Sequence, residues 1–261
     1  LLPPCQAAYN GNNEVVQILI RGGADPNIAK ASTGFTPLVA AAYNGFAPTL
    51  DALLEAGADV EKPMKNGWSA LMVAAAQGHA QATKSLLRRG ANPNRQLQDS
   101  RLTPLMAVAA TSMTRQEGDC TSALIQNKAD LALVDRNGTD ALMFAARNGR
   151  LDMVEIMLQG GIHYNRKRPG GATALMDAAA SGHEAVVRAI LDYGQNGGRP
   201  PVKIDERDDQ GQTALMHAAK GGKDHTMMPL LQVWSVWSVW SVWSVWSVWS
   251  DSNGQTVWSI W

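Results

Sequence analysis

Net charge, cysteine and a start methionine are all scarce or missing in this chain of 261 residues. Lys and Arg number 23, and Asp and Glu number 23. That balance implies no global attraction to nucleic acid or to a membrane surface, and neither is expected as a partner. The two cysteines, Cys5 and Cys120, stand far apart in the sequence and are not expected to pair. That suits a reducing compartment, cytoplasmic or nuclear. No secretory leader or basic targeting run opens the chain. It begins with Leu1, so a fragment of a longer protein is the expectation. Catalytic signatures are missing as well. No Gly-rich phosphate loop and no nucleophile elbow occurs. His163, His217 and His225 have no cysteine or carboxylate at a metal-ligand spacing. No catalytic residue, cofactor or metal is assigned, and the chain is read as non-catalytic.

What the chain does have is repetition. Gly138-Thr-Asp-Ala-Leu-Met-Phe-Ala-Ala-Arg-Asn-Gly149 recurs as Gly34 to Gly45, Gly67 to Gly78, Gly171 to Gly182 and Gly211 to Gly222, with a worn copy from Arg101. The starts at 34, 67, 101, 138, 171 and 211 are separated by 33, 34, 37, 33 and 40 residues. Gly57, Gly90, Gly161 and Gly194 keep the same time, each 23 residues after a start. A fixed period in this range signals a solenoid.

The unit resembles an ankyrin repeat, whose signature is T-P-L-H-x-A within a 33-residue period. Thr36-Pro37-Leu38 and Thr103-Pro104-Leu105 match it directly, and Ser69-Ala70-Leu71, Thr173-Ala174-Leu175 and Thr213-Ala214-Leu215 are close variants. The resemblance covers residues 1 to about 232. It implies an all-α solenoid of stacked helix-turn-helix units with finger-like β-turn loops. Within each unit the Thr or Ser is an expected N-cap. Pro37 and Pro104 fit the first helical turn. Gly45, Gly78, Gly149 and Gly182 are expected to end the first helix in a left-handed cap. The second helix is amphipathic, as in Val15, Val16, Ile18 and Leu19. The signature His is replaced by Val39, Met72, Met106, Met143, Met176 and Met216, expected to face inward as core. His79 and His183, after the turn glycine, are expected to be structural.

The chain divides into a first repeat with its opening lost (1–33), two regular repeats (34–66 and 67–100), and a fourth (101–137) lengthened within Thr111 to Gly118. A fifth (138–170) ends in the basic tip Arg166-Lys-Arg168, read as a solvated finger, with anion binding as the alternative. A sixth (171–210) carries an irregular insertion at Gln195 to Val202. A degenerate seventh (211–232) holds Pro229 inside its second helix, where a kink is expected. Nothing at the start resembles a polar terminal cap, and Leu1 and Leu2 are expected to be exposed.

Val233 to Ser250 is Val-Trp-Ser six times, and Asp251 to Thr256 then echoes Asp209 to Thr213, so residues 251–261 read as the start of a truncated eighth repeat. The three-residue unit fits neither helix nor strand and reads as a neutral expansion. Its uncharged, β-prone character allows self-association. A third of it is serine, against a membrane span. Trp-Ser-x-Trp-Ser and Trp-x-x-Trp motifs of extracellular proteins are spelled within it, without the β-rich setting they need.

The resemblance implies binding of a partner protein through finger tips and the concave inner-helix face. Carried over by register, that face comprises Tyr9, Asn10, Phe35, Tyr43, Asn44, Trp68, Gln77, Leu102, Arg136, Arg147, Asn148, Asp209, Gln212 and Lys220. Its first half is aromatic and its second half charged. Phe35 and Trp68 have a second reading, packing against neighbouring fingers. The alternative function is a targeting arm of a larger enzyme or channel. Asn27 and Asn94 also resemble finger asparagines that are hydroxylated in some ankyrin proteins.

Overall fold

Six of the inner helices begin where a short polar side chain closes the first turn. In the computed structural model, which describes residues 3–111, 117–196 and 201–233, Thr36, Ser69, Asp140, Thr173 and Thr213 each accept a hydrogen bond from the backbone N–H three residues on. Thr103 does the same for Met106. A cap of this kind is worth roughly 1 kcal/mol. The helices so started are α3 (Pro37–Asn44), α5 (Ala70–Ala76), α7 (Pro104–Thr111), α9 (Ala141–Arg147), α11 (Ala174–Ser181) and α13 (Ala214–Lys220). With α1 (Pro3–Tyr9) they form the inner layer, in which each packs on the next.

The outer layer comprises α2 (Asn13–Arg21), α4 (Ala47–Glu55), α6 (Ala80–Arg88), α8 (Glu117–Gln126), α10 (Leu151–Gln159), α12 (Glu184–Asn196) and a last helix, α14 (224–233). Neighbours from α2 to α12 again pack in sequence. Among the described residues there is no strand.

The core lies between the layers. Alanine runs keep the inner helices slim, and Ala40, Ala41, Ala42, Ala74 and Ala75 are fully buried. The Met column is core as expected from Met72 to Met176, each 2% exposed or less, as is Val39. Met216 departs from it at 47% exposure, because no described residue stacks beyond α13 and α14. Cys5 and Cys120 are free and buried.

The left-handed turns fall where the glycines are. Gly45, Gly78, Gly149 and Gly182 all have φ between 69° and 84°. Gly45 is needed twice over, since a Cβ there would lie 2.6 Å from the His79 ring. Gly57, Gly90 and Gly161 are also left-handed. Gly194 is not, and α12 runs through it to Asn196, so the second helix does not end at Gly194. Val202 packs directly over Gly194, where any Cβ would collide with it. Residues 197–200 of the insertion, residues 112–116 of the earlier one, Leu1, Leu2 and everything from Trp234, including the Val-Trp-Ser tract and the eighth-repeat motif, lie outside the described residues. The last helix runs on through Pro229. Leu230 and Thr226, both buried to within 1%, hold it against the array despite the lost N–H.

In three fingers an asparagine near the start ties the finger to the next. Asn27 accepts from the Asp59 N–H at 2.7 Å and donates to the Gly57 carbonyl at 3.1 Å. Asn94 makes the same pair with Asp130 and Lys128. Asn165 makes it with Lys203 and Pro201. Backbone bonds add to these ties, from Lys65 to Thr33, Arg136 to Ser100 and Asp209 to Gly170. Because the helices of each unit pack mainly on those of the adjacent units, stability accumulates repeat by repeat.

Candidate functional site

The inner-helix face is built from the last turn of each inner helix and the finger beside it. Two columns of residues precede the turn glycine. The nearer one is partly structural. The Asn44 carboxamide donates to the Tyr9 carbonyl at 2.7 Å, and that of Asn148 to the Ala109 carbonyl at 2.9 Å. Asn10 accepts from the Gln6 amide within its own repeat, and Gln77 is exposed. His79 and His183 complete this layer as expected. Their Nε2 atoms sit 3.0 Å from the carbonyl oxygens of Tyr43 and Arg147 in the preceding repeat.

The farther column includes exposed side chains. Tyr9 and Tyr43 are 38% and 42% exposed, and their rings stack at 6.2 Å with 20° between planes. The stack follows from the register. Both tyrosines stand two residues before a turn glycine, and the inner helices α1 and α3 lie side by side. Arg147 and Lys220 occupy the same position later in the array and are exposed.

The finger residues divide differently. Phe35, Trp68 and Leu102 are half-buried and pack against the core, so the reading in which Phe35 and Trp68 brace neighbouring fingers describes their contacts. Arg136 and Asp209 are exposed, with backbone amides bonded to the preceding finger. Gln212 is half-buried, and its Oε1 lacks a hydrogen-bond partner. The structure therefore brings Tyr9, Tyr43, Gln77, Arg147 and Lys220 out along one face, with Asn10, Arg136 and Asp209 on its exposed borders.

Four residues outside that set complete the charged half. Arg168 chelates Asp177, a second guanidinium–carboxylate bond measuring 2.9 Å, and Arg147 approaches the same carboxylate at 3.3 Å. In the next repeat Asp208 and the His217 ring meet at 2.8 Å. The two pairs occupy one structural position with the charges reversed, a finger residue and an inner-helix residue nine apart in each case. That spacing was visible in the sequence once the repeats were aligned. The Arg168 guanidinium is held further above its usual pKa, chiefly by its bond to Asp177. The Asp208 carboxyl is lowered, first by the Gln212 N–H and then by His217. Lys167 pairs with Glu206 at 2.6 Å, so the Arg166-Lys-Arg168 tip is neutralised at two of its three positions and is not a freely solvated finger.

Among the described residues no group of three His, Cys, Asp or Glu side chains is placed to hold a metal ion. Among them also, no helix is long and apolar enough to cross a membrane.

The comparisons with known proteins agree with the fold. A family model described as ankyrin repeats (three copies) matches residues 5–97, 81–168, 105–203 and 165–235. The chain is 30% identical over 107 residues to mouse protein fem-1 homolog A-like, covering 41% of this chain and 15% of that protein. It is 28% identical over 132 residues to mouse ankyrin repeat domain-containing protein 63, covering 51% of this chain and 33% of that protein. The chain thus spans a third or less of the length of these relatives. The crystal structure of the human ASB11 ankyrin repeat domain superposes with a TM-score of 0.74 at 26% identity, covering 89% of this chain and 97% of that one. The ankyrin repeat domain of Bcl-3, a member of the IkappaB family, superposes with a TM-score of 0.70 at 24% identity, over 86% and 97% of the two chains.

Proposed function

From the premise that this chain belongs to the ankyrin-repeat family, whose repeats are generally protein–protein interaction modules, we propose that it binds a partner protein through its inner-helix face. The carrying observation is the exposed Tyr9–Tyr43 stack. Two rigid aromatic side chains lie side by side in solvent, and such residues make strong anchors because they lose little entropy on burial. Beyond them the face turns to charge at Arg147, Asp177 and Lys220. The partner that fits presents an apolar or aromatic patch next to acidic groups. The wider face is Tyr9, Asn10, Phe35, Tyr43, Asn44, Trp68, Gln77, Leu102, Arg136, Arg147, Asn148, Asp209, Gln212 and Lys220, with Asn44, Asn148, Phe35 and Trp68 supporting it from below.

The test is affinity capture from native lysate with the full chain beside Tyr9→Ser/Tyr43→Ser. These two tyrosines are the right targets because they are exposed, whereas truncating half-buried Trp68 would also disturb the core. A partner retained by wild type and lost by a variant with an unchanged thermal melt supports the face. Equal capture by both proteins removes it.

A second reading, the array as the targeting arm of a larger protein, is favoured by the exposure of Met216 at 47% and Leu231 at 38%. Their counterparts in the fifth and sixth repeats, Met143, Leu158, Met176 and Leu191, are buried. Sequencing a full-length transcript decides this reading. A transcript that encodes only repeats ends it.

A further inference from the structure

One side-chain position recurs among the ties between neighbouring fingers, and in one of the first five fingers its side chain is too short to make the tie. The residues at this position are Asn27, Glu61, Asn94, Ala132 and Asn165. The asparagines bridge to a backbone N–H and a carbonyl of the following finger. Glu61 uses its carboxylate instead. One oxygen accepts from the Asn92 N–H at 2.7 Å and the other from Arg95 Nη1 at 2.7 Å.

Between the fourth and fifth fingers the same receiving groups are present. His163 stands where Asn92 stands, and Arg166 stands where Arg95 stands, three residues later in both cases. Arg166 Nη1 donates to the Ala132 carbonyl at 2.7 Å, just as Arg95 Nη1 donates to the Glu61 carbonyl at 2.9 Å. The guanidinium is therefore held in the orientation that receives a carboxylate. Ala132 has no side chain long enough to supply one. A cleft of about 430 Å³ opens there instead, lined by Ile125, Leu131, Ala132, Ile162, His163 and Arg166 among others.

Two acids border the cleft, and neither takes the place of Glu61. Asp130 accepts from the Ala132 N–H at 2.8 Å, repeating the bond of Asp59 to the Glu61 N–H at 2.9 Å beside the filled position. Asp140 is 1% exposed and caps Met143, and it feels the Arg166 charge only from beyond ion-pair distance. Among the described residues no carboxylate forms an ion pair with Arg166.

We propose that the cleft between the fourth and fifth fingers binds a carboxylate ligand, held by the Arg166 guanidinium and the His163 backbone N–H, with its short apolar stem between Leu131 and Ile162. The Glu61 side chain shows the bound geometry within the same molecule. A charge-assisted bond to arginine combined with a backbone N–H is a strong recognition pair for this group. None of these residues belongs to the partner face, so the two proposals stand or fall separately. The carboxylate has two sources of identical chemistry, a glutamate of a bound peptide or a free small acid.

The probe is propionate, which is the glutamate side chain from Cβ outward, titrated into isotope-labelled full-length protein. The expected result is a saturable shift of the His163 amide and Arg166 Nε–H resonances, stronger than with propionamide. Ala132→Glu fills the cleft from within, abolishing the response and raising the melting temperature. Glu61→Ala creates a second responsive pair at Asn92 and Arg95. No saturable shift in the wild type, or an undiminished shift in Ala132→Glu, overturns the proposal. Tighter binding of N-acetyl-glutamyl-N-methylamide than of propionate identifies a peptide glutamate as the source. Weaker binding identifies a free acid.

Discussion

Two residues carry a backbone shape that suits neither. Arg101 and Lys128 have φ of 59° and 66°, in positions where the other repeats place glycine. An L-residue pays about 1–2 kcal/mol to sit there. Glycine avoids that cost but returns about 0.5–1 kcal/mol through its freer unfolded chain. Both side chains are exposed, so little packing is lost on replacing them. Arg101→Gly and Lys128→Gly should each stabilise the protein by about 0.5–1 kcal/mol in urea denaturation. Variants no more stable than wild type would show that the loops relax the strain in another way. This column was legible in the sequence, since Gly34, Gly67, Gly138, Gly171 and Gly211 mark it and Arg101 interrupts it. The caps at Thr36, Ser69, Thr103, Thr173 and Thr213 were equally legible, because capping is local chemistry. The exposure of Phe35 and Trp68 was not. Both stand on finger loops where sequence patterning has no period, and only the stacking of repeats decides how much of each ring is covered. Ala132 was harder still, since its meaning lies in a side chain that its neighbours have and it does not.

Helix boundaries show where local signals are overruled by packing. Gly194 stands in register with three helix-ending glycines, yet α12 passes through it because Val202 lies against that point of the helix. The last outer helix, 224–233, similarly tolerates Pro229. A proline inside a helix costs ~3 kcal/mol relative to alanine. It removes one backbone bond and crowds the preceding turn. The helix survives because Thr226 and Leu230 are buried beneath it, so tertiary contacts supply what local propensity withholds. Pro229→Ala should therefore stabilise this helix by up to about 3 kcal/mol. Hydrogen exchange of amides 224–233 is the measurement, and slower exchange there with no change in α5 or α9 is the expected pattern. Unaltered exchange would mean that these amides open only with the whole array.

In a stack held together by neighbours, place in the array decides burial as much as residue type does. Met143 and Leu158 are each 1% exposed, and Met176 and Leu191 are each 2% exposed. Their counterparts in the last pair, Met216 and Leu231, are 47% and 38% exposed. At the other end Val15 and Ile18 reach 43% and 65%. Apolar side chains on an end face lose the contacts that make such residues stabilising, while still inviting association. Polar replacement should therefore have opposite consequences at the two kinds of site. Met143→Gln with Leu158→Glu buries polar groups without partners, at roughly 2–7 kcal/mol each, and should unfold the array. Met216→Gln with Leu231→Glu should change stability by less than about 0.5 kcal/mol, the usual range for surface sites. It should also reduce self-association in light scattering. Circular-dichroism melts of the two double variants, run side by side, check the contrast. If the end-face variant melted as early as the interior one, the face around Met216 and Leu231 would have to be covered in solution. The chain beyond Val233 would then be the first place to look for the covering segment.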